Sequence, residues 1–171
     1  PTEGSYDAST LAQSVVDSDC DSVLLMSYAT DGAAIMEALS AQSFAGTIIG
    51  ADGIADAAFT DAFTDAAAVD GLVATRPRPG EQSSVQTNFE NAYAAAGGAE
   101  GAIYTGETYD AINIAAAAIM DGGDLVAAIK KTGVNYTGAS GVHTFDAAGD
   151  VLGSGYEVCQ FDGTDFSCPR I

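Results

Sequence analysis

Among the side chains able to act as bases, nucleophiles or metal ligands, the sequence carries one histidine, three cysteines and 24 carboxylates. His143 stands between Val142 and Thr144 in a β-like stretch, where a satisfied or exposed imidazole is expected rather than a general base. The pairs Asp17 with Asp21 and Asp61 with Asp65 have the helical spacing an acid and a base would need, but in so acidic a chain they read as a solvated face. Asp17-Ser-Asp-Cys-Asp21 begins like a calcium loop and lacks its glycine and distal glutamate. Gly-x-x-x-x-Gly-Lys, Gly-x-Gly-x-x-Gly and Gly-x-Ser-x-Gly are all absent, and Gly138-Ala-Ser-Gly141 misses the last by one position. With no phosphate loop, nucleophile or metal cluster to assemble, the sequence predicts a protein that is not an enzyme and needs no cofactor or metal.

The cysteines point elsewhere. Cys20, Cys159 and Cys168 have no Cys-x-x-Cys spacing, and His143 is the one nitrogen ligand available, so a zinc site is not expected. Cys159-Gln-Phe-Asp-Gly-Thr-Asp-Phe-Ser-Cys168 reads as a hairpin. If Asp162 to Asp165 form its loop, Phe161 faces Phe166 and Cys159 falls opposite Cys168, close enough to bridge. A disulfide there implies an oxidising compartment, and the alternative is a pair of small buried thiols. Cys20, beside Asp19 and Asp21, reads as a lone thiol with no activating cation nearby in sequence. Asn135-Tyr-Thr137 matches a glycosylation acceptor, which gains weight if the protein is exported.

The elements that must position these groups follow from composition and periodicity. A 171-residue chain with 47% hydrophobic content is long enough for a packed core. Its net charge of −19, with five basic residues, excludes nucleic acid and anionic membrane surfaces as partners. The charge instead suits a protein kept soluble by a hydrated anionic surface, as in a saline or extracytoplasmic setting. The longest apolar stretch, Ile112 to Met120, falls short of the roughly 18 to 20 residues of a spanning helix. The chain begins at Pro1, with no initiator methionine and no basic region leading into an apolar run, and reads as a processed chain or a piece of one.

Leu11, Val15 and Val16 predict a helix over Ser9 to Val16, capped by Asp7. Ser22 to Tyr28 reads as a buried parallel strand, followed by a helix capped at Thr30 or Asp31 and running to Ser43, then a strand over Thr47 to Gly50. Asp56 caps a helix to about Ala67, and Gly71 to Thr75 forms another strand. Arg76-Pro-Arg-Pro-Gly80 is the best candidate linker. Helices follow over Ser84 to Ala96, Thr108 to Met120 and Asp124 to Lys131, and the remainder is β-like: Gly141 to Phe145, a turn at Asp146 to Asp150, and Ser154 to Phe161.

In an open α/β sheet, ligands bind beyond the carboxyl ends of the strands. Two strand ends carry suitable groups. Tyr28-Ala-Thr-Asp31 offers an aromatic ring and the amides of a new helix, and Gly50-Ala-Asp-Gly53 offers one carboxylate in a tight turn. Tyr28 can stack on or bond to a small solute, and Asp52 can neutralise an ammonium. On spacing alone, a core tyrosine and a turn aspartate remain open readings.

Five stretches carry a resemblance. Ser22 to Asp31, Phe44-Ala-Gly-Thr-Ile-Ile-Gly-Ala-Asp-Gly53, Gly71-Leu-Val-Ala-Thr-Arg-Pro77, Thr108-Tyr-Asp-Ala-Ile112 and Gly138 to Asp150 occur in the order of the branched-chain amino acid binding proteins, the type I solute-binding proteins of ABC importers. The resemblance covers nearly the whole chain and corresponds to the C-terminal half of that family. It implies an α/β type I periplasmic-binding-protein fold: three-layer αβα lobes with a mainly parallel sheet, here a partial chain. Residues 1–77 plus 151–171 would form the second lobe, and 78–150 part of the first after a hinge crossing, with crossings near Arg76 to Pro79 and Asp150 to Ser154. Tyr28, Ala29 and Thr30 would contact the ligand, as would Asp52 and Gly53, with Asp52 binding the α-ammonium; Tyr109 would lie near the cleft. Asp52 stands where the best-known members have a glutamate. The implied function is capture of a small amino acid or related polar solute by lobe closure, outside the cytoplasm, and delivery to ABC permease subunits. The alternative is a sensory ligand-binding domain of the same fold.

Overall fold

The computed structural model describes residues 6–64, 69, 71–78, 83–99, 102–152 and 155–168. The chain divides into two compact units, the first made of Pro1–Arg76 with Tyr156–Ile171 and the second of Pro77–Gly155.

The first unit opens with α1 (Ala8–Asp17), whose first turn is closed by the Asp7 carboxylate accepting from the Thr10 amide at 2.7 Å. Then come β1 (Ser22–Leu25), α2 (Ala29–Ala41), β2 (Thr47–Gly50), a 3-10 turn over Asp52–Ile54, α3 (Ala57–Asp61) and β3 (Val73–Pro77). After the second unit the chain returns as β7 (Tyr156–Phe161) and β8 (Phe166–Ser167). The sheet order is β1-β2-β3-β7-β8. Strands β1, β2 and β3 are parallel, with Leu25 beside Gly50 and Gly50 beside Ala74. Strand β7 runs the other way along β3: Gly71 and Leu72 bond the backbone of Phe161 at one end, and Arg76 meets Glu157 at the other.

Along β7 burial alternates strictly, with Glu157, Cys159 and Phe161 inward, as expected of a strand with one face on the core. Phe161 and Phe166 face each other across the β7–β8 hairpin and pack with Phe59 of α3 at centroid separations of 5.2 to 6.4 Å. These rings, with Leu39, Ile54 and Leu72, form the core. Each fully buried side chain of this size contributes about 1.5–3 kcal/mol. Cys159 and Cys168 are joined by a disulfide, and Cys20 is a half-buried free thiol.

The second unit holds α4 (Ser84–Ala95), α5 (Thr105–Asp121), α6 (Leu125–Thr132) and a small antiparallel sheet of β4 (Tyr136–Thr137), β5 (Val142–Phe145) and β6 (Val151–Leu152). Ser83 and Asp124 cap α4 and α6 through their side chains. No helix among the described residues is long and apolar enough to cross a membrane.

Several sequence expectations are corrected. Helix α2 starts at Ala29 with Tyr28 as its cap residue, not Thr30 or Asp31, because the Gly32 amide already donates to the Tyr28 carbonyl at 2.7 Å. Strand β1 stops at Leu25, where its partner β2 ends at Gly50, so Met26 to Tyr28 have no ladder to join. Helix α3 ends at Asp61, well short of Ala67; residues 65–68 lie outside the described residues. Gly71 takes a left-handed φ of 87°, which delays β3 to Val73 and carries it through Arg76 and Pro77 of the expected linker. Pro79 and Gly80 lie outside the described residues. Helix α5 starts three residues before Thr108, led in by Tyr104 at a φ of 61°. The two-residue strands β4 and β6 are too short to show alternation in the sequence.

Candidate functional site

Parallel pairing of β1 with β2 puts the segments after Leu25 and after Gly50 side by side, and the Ala51 amide donates to the Leu25 carbonyl at 3.0 Å. Gly53 then lies directly against the first segment. A Cβ at that position would stand 2.5 Å from the Ser27 carbonyl oxygen and 3.3 Å from Tyr28 Cδ1. Glycine at 53 is therefore a condition for the two loops to meet. Gly50 imposes a similar condition at the end of β2, since a Cβ there would collide with the Ile54 side chain that anchors the 3-10 turn.

These contacts gather five of the candidate residues in one place. Tyr28 has extended backbone geometry at the cap of α2, makes no side-chain cap bond, and keeps 74% of its surface exposed. Ala29 and Thr30 supply first-turn amides of the helix, whose positive end favours an acidic group. Asp52 is half-buried in the first position of the 3-10 turn. An exposed ring, helix amides and a carboxylate within one pair of loops suit recognition of a small solute carrying charge of both signs. Tyr109 belongs to the second unit, where it is 45% exposed on α5 and packs on Phe89 at a centroid distance of 4.9 Å.

A cavity of about 390 Å³ opens in the first unit at the other end of the sheet, between Met36 and Leu39 of α2 and Thr47 and Ile48 of β2. Among the described residues its lining holds no charged side chain. Lying away from Tyr28 and Asp52, it is a groove in the packing and does not belong to this site.

A buried polar centre in the second unit has no role assigned from sequence. Asp110 of α5, 2% exposed, accepts from the amides of Ala139 (2.7 Å) and Ser140 (2.8 Å) and from Ser140 Oγ (2.6 Å). His143 Nε2 lies 2.8 Å from Ser140 Oγ and 3.3 Å from Asp110 Oδ2. The three residue types resemble a hydrolytic triad, but the geometry does not. The single hydroxyl proton of Ser140 goes to the carboxylate, so His143 donates to Ser140 through Nε2 and is not placed to deprotonate it. Asp110 is a strut for the 138–141 loop, and Gly138 abuts its carboxylate so closely that a Cβ would overlap it. The nearby Tyr136 hydroxyl is pushed above its ordinary range, first by burial and then by the Asp110 charge. No local signal in the sequence marks Asp110 as buried, because its partners lie about thirty residues further on.

Among the described residues, one group of side chains lies within metal-ligand reach, Glu157, Cys159 and Cys168. Its sulfurs are consumed by the disulfide, and Glu157 accepts from Arg76 Nε at 2.9 Å. The donor set thus does not fit a metal in this state.

No family model matches the sequence, and no curated protein matches it either. Solved structures do. A leucine-binding protein from Thermotoga maritima superposes with a TM-score of 0.79 at 22% identity, over 98% of this chain and 49% of that one. The substrate-binding protein of a branched-chain amino acid transporter from Streptococcus pneumoniae, solved with isoleucine, gives 0.73 at 17% identity, over 98% and 50%. An extracellular ligand-binding receptor from Desulfohalobium retbaense gives 0.75 at 21%, over 96% and 29%. The chain spans about half the length of the first two and less than a third of the last. It has the fold of the branched-chain amino acid binding proteins, the type I periplasmic-binding-protein fold, over about half of their length.

Proposed function

We propose that the chain is the C-terminal portion of an extracytoplasmic solute-binding protein that captures a small amino acid and passes it to an ABC permease. The observation that carries this reading is the meeting of Tyr28 with the Asp52-Gly53 turn at the carboxyl ends of adjacent parallel strands. The first unit serves as the second lobe of a clamp and the second unit as a portion of its first lobe, with the Arg76 to Pro79 connection as a hinge crossing. The Asp52 carboxylate takes the α-ammonium, the α2 amides of Ala29 and Thr30 face the carboxylate, and Tyr28 covers the solute. Leucine and isoleucine, named for two of the similar structures, set the first solutes to try. The disulfide supports a site outside the reducing cytoplasm.

The test is calorimetric titration of the complete protein with the twenty amino acids, followed by Asp52→Ala with whichever binds. Loss of one charge-assisted hydrogen bond costs about 1.5–3 kcal/mol, roughly 10- to 150-fold in affinity. Unchanged affinity in the variant, or no amino acid bound by the parent, overturns the assignment.

A further inference from the structure

We propose that Asn135 is a site of N-linked glycosylation. The chain has four asparagines, and only Asn135 is followed two residues on by a serine or threonine, Thr137. The others, Asn88, Asn91 and Asn113, sit inside α4 and α5, where helical backbone holds them, and Asn113 Nδ2 is already bonded to the Tyr109 carbonyl at 2.8 Å.

Asn135 stands apart from these in geometry. It occupies a left-handed turn position with a φ of 50°, just before the edge strand β4. The strand alternation turns Tyr136 inward, close enough to Asp110 to feel its charge, and leaves Asn135 and Thr137 exposed together on the solvent side. Thr144 on β5 fixes the asparagine: its Oγ1 accepts from the Asn135 amide at 3.0 Å and donates to Asn135 Oδ1 at 3.3 Å. The carboxamide oxygen is thereby held against the protein, and Nδ2 makes no hydrogen bond among the described residues. The acceptor nitrogen and the threonine hydroxyl are presented together on an exposed turn.

The reaction requires a sugar donor linked to a lipid phosphate and its transferase. Asn135 Nδ2 forms a bond to the anomeric carbon, the carbon–oxygen bond to the lipid phosphate breaks, the phosphate leaves with the electron pair, and Nδ2 gives one proton to a base of the transferase. Such donors are used outside the cytoplasm, so the inference rests on the extracytoplasmic reading above.

The experiment is mass spectrometry of the Asn135 peptide from protein purified from the cells that naturally make it, with the protein's compartment measured separately by fractionation. The expected result is a sugar mass on Asn135 that is lost in Asn135→Gln and Thr137→Ala and kept in Thr137→Ser. An extracytoplasmic protein whose Asn135 peptide is wholly unmodified overturns this inference and leaves the proposed function standing. A protein confined to the cytoplasm overturns both.

Discussion

Burying a carboxylate is tolerable when donors replace the water it loses, and Asp110 has three from a single loop, two of them backbone amides. Replacement by alanine would leave those amides without an acceptor in a nearly closed site. Asp110→Ala is expected to destabilise the protein by about 2–5 kcal/mol, and Asp110→Asn, which keeps the shape and one acceptor oxygen, by less. Urea unfolding followed through a second-unit signal measures both; equal stability of the parent and the alanine variant would refute the strut. None of this is legible locally, since the partners lie about thirty residues away and no pattern in Thr108-Tyr-Asp-Ala-Ile112 announces them. Tyr28 and Asp52 are easier to single out, because each follows an apolar strand and the strand-end rule needs only local sequence. Their contact is not readable, as it depends on Gly53 lying against Ser27.

At the level of elements, periodicity and caps locate the helices, and Asp7 and Asp56 do close α1 and α3, while Asp124, read as the first residue of its helix, is the cap of α6. What sequence cannot supply is where a partner strand runs out, which fixes the end of β1. The hairpin β7–β8 is legible because its aromatic and cysteine positions are symmetric about the loop, and its register pairs Phe161 with Phe166. Its disulfide closes a short loop, so Cys159→Ser with Cys168→Ser should lower stability by about 2–4 kcal/mol in thermal or urea unfolding. Two turns add a pH dependence. The carboxylates of Asp146 and Asp162 are held below their ordinary value of 3.8, in each case first by backbone hydrogen bonds, from Asp150 and from Asp165. A lowered folded-state value means stabilisation that is complete above the unfolded value and disappears as pH falls through the folded one. The advantage of the parent over Asp162→Asn should therefore hold from pH 7 down to about 4 and be lost only as the pH falls further, through the lowered folded-state value. A gap between their melting temperatures that widens as pH falls would contradict the sign.

Across the whole molecule, 24 acids face five bases. Among the described residues, carboxylates pair with basic side chains at Arg76–Glu157, Lys131–Asp121 and His143–Asp110. Most of the negative charge is left to repel itself and favours the unfolded chain. Raising salt from about 0.1 M to about 1 M shortens the screening length from roughly 10 Å to 3 Å, and the melting temperature should rise by several degrees. A fall would mean that ion pairs outweigh repulsion.

The interrupted course of the first unit has a consequence for how the protein is made. Its core closes on Phe161 and Phe166, yet Phe59, against which they pack, is synthesised about a hundred residues earlier. The second unit is continuous from Pro77 to Gly155 and is complete at the ribosome before β7 exists. At about 5–20 residues per second, the Phe59 side of the core waits roughly 5 to 20 s for its cover. The first unit closes only after the second has been made, and its aromatic interior is the surface a nascent chain most needs shielded.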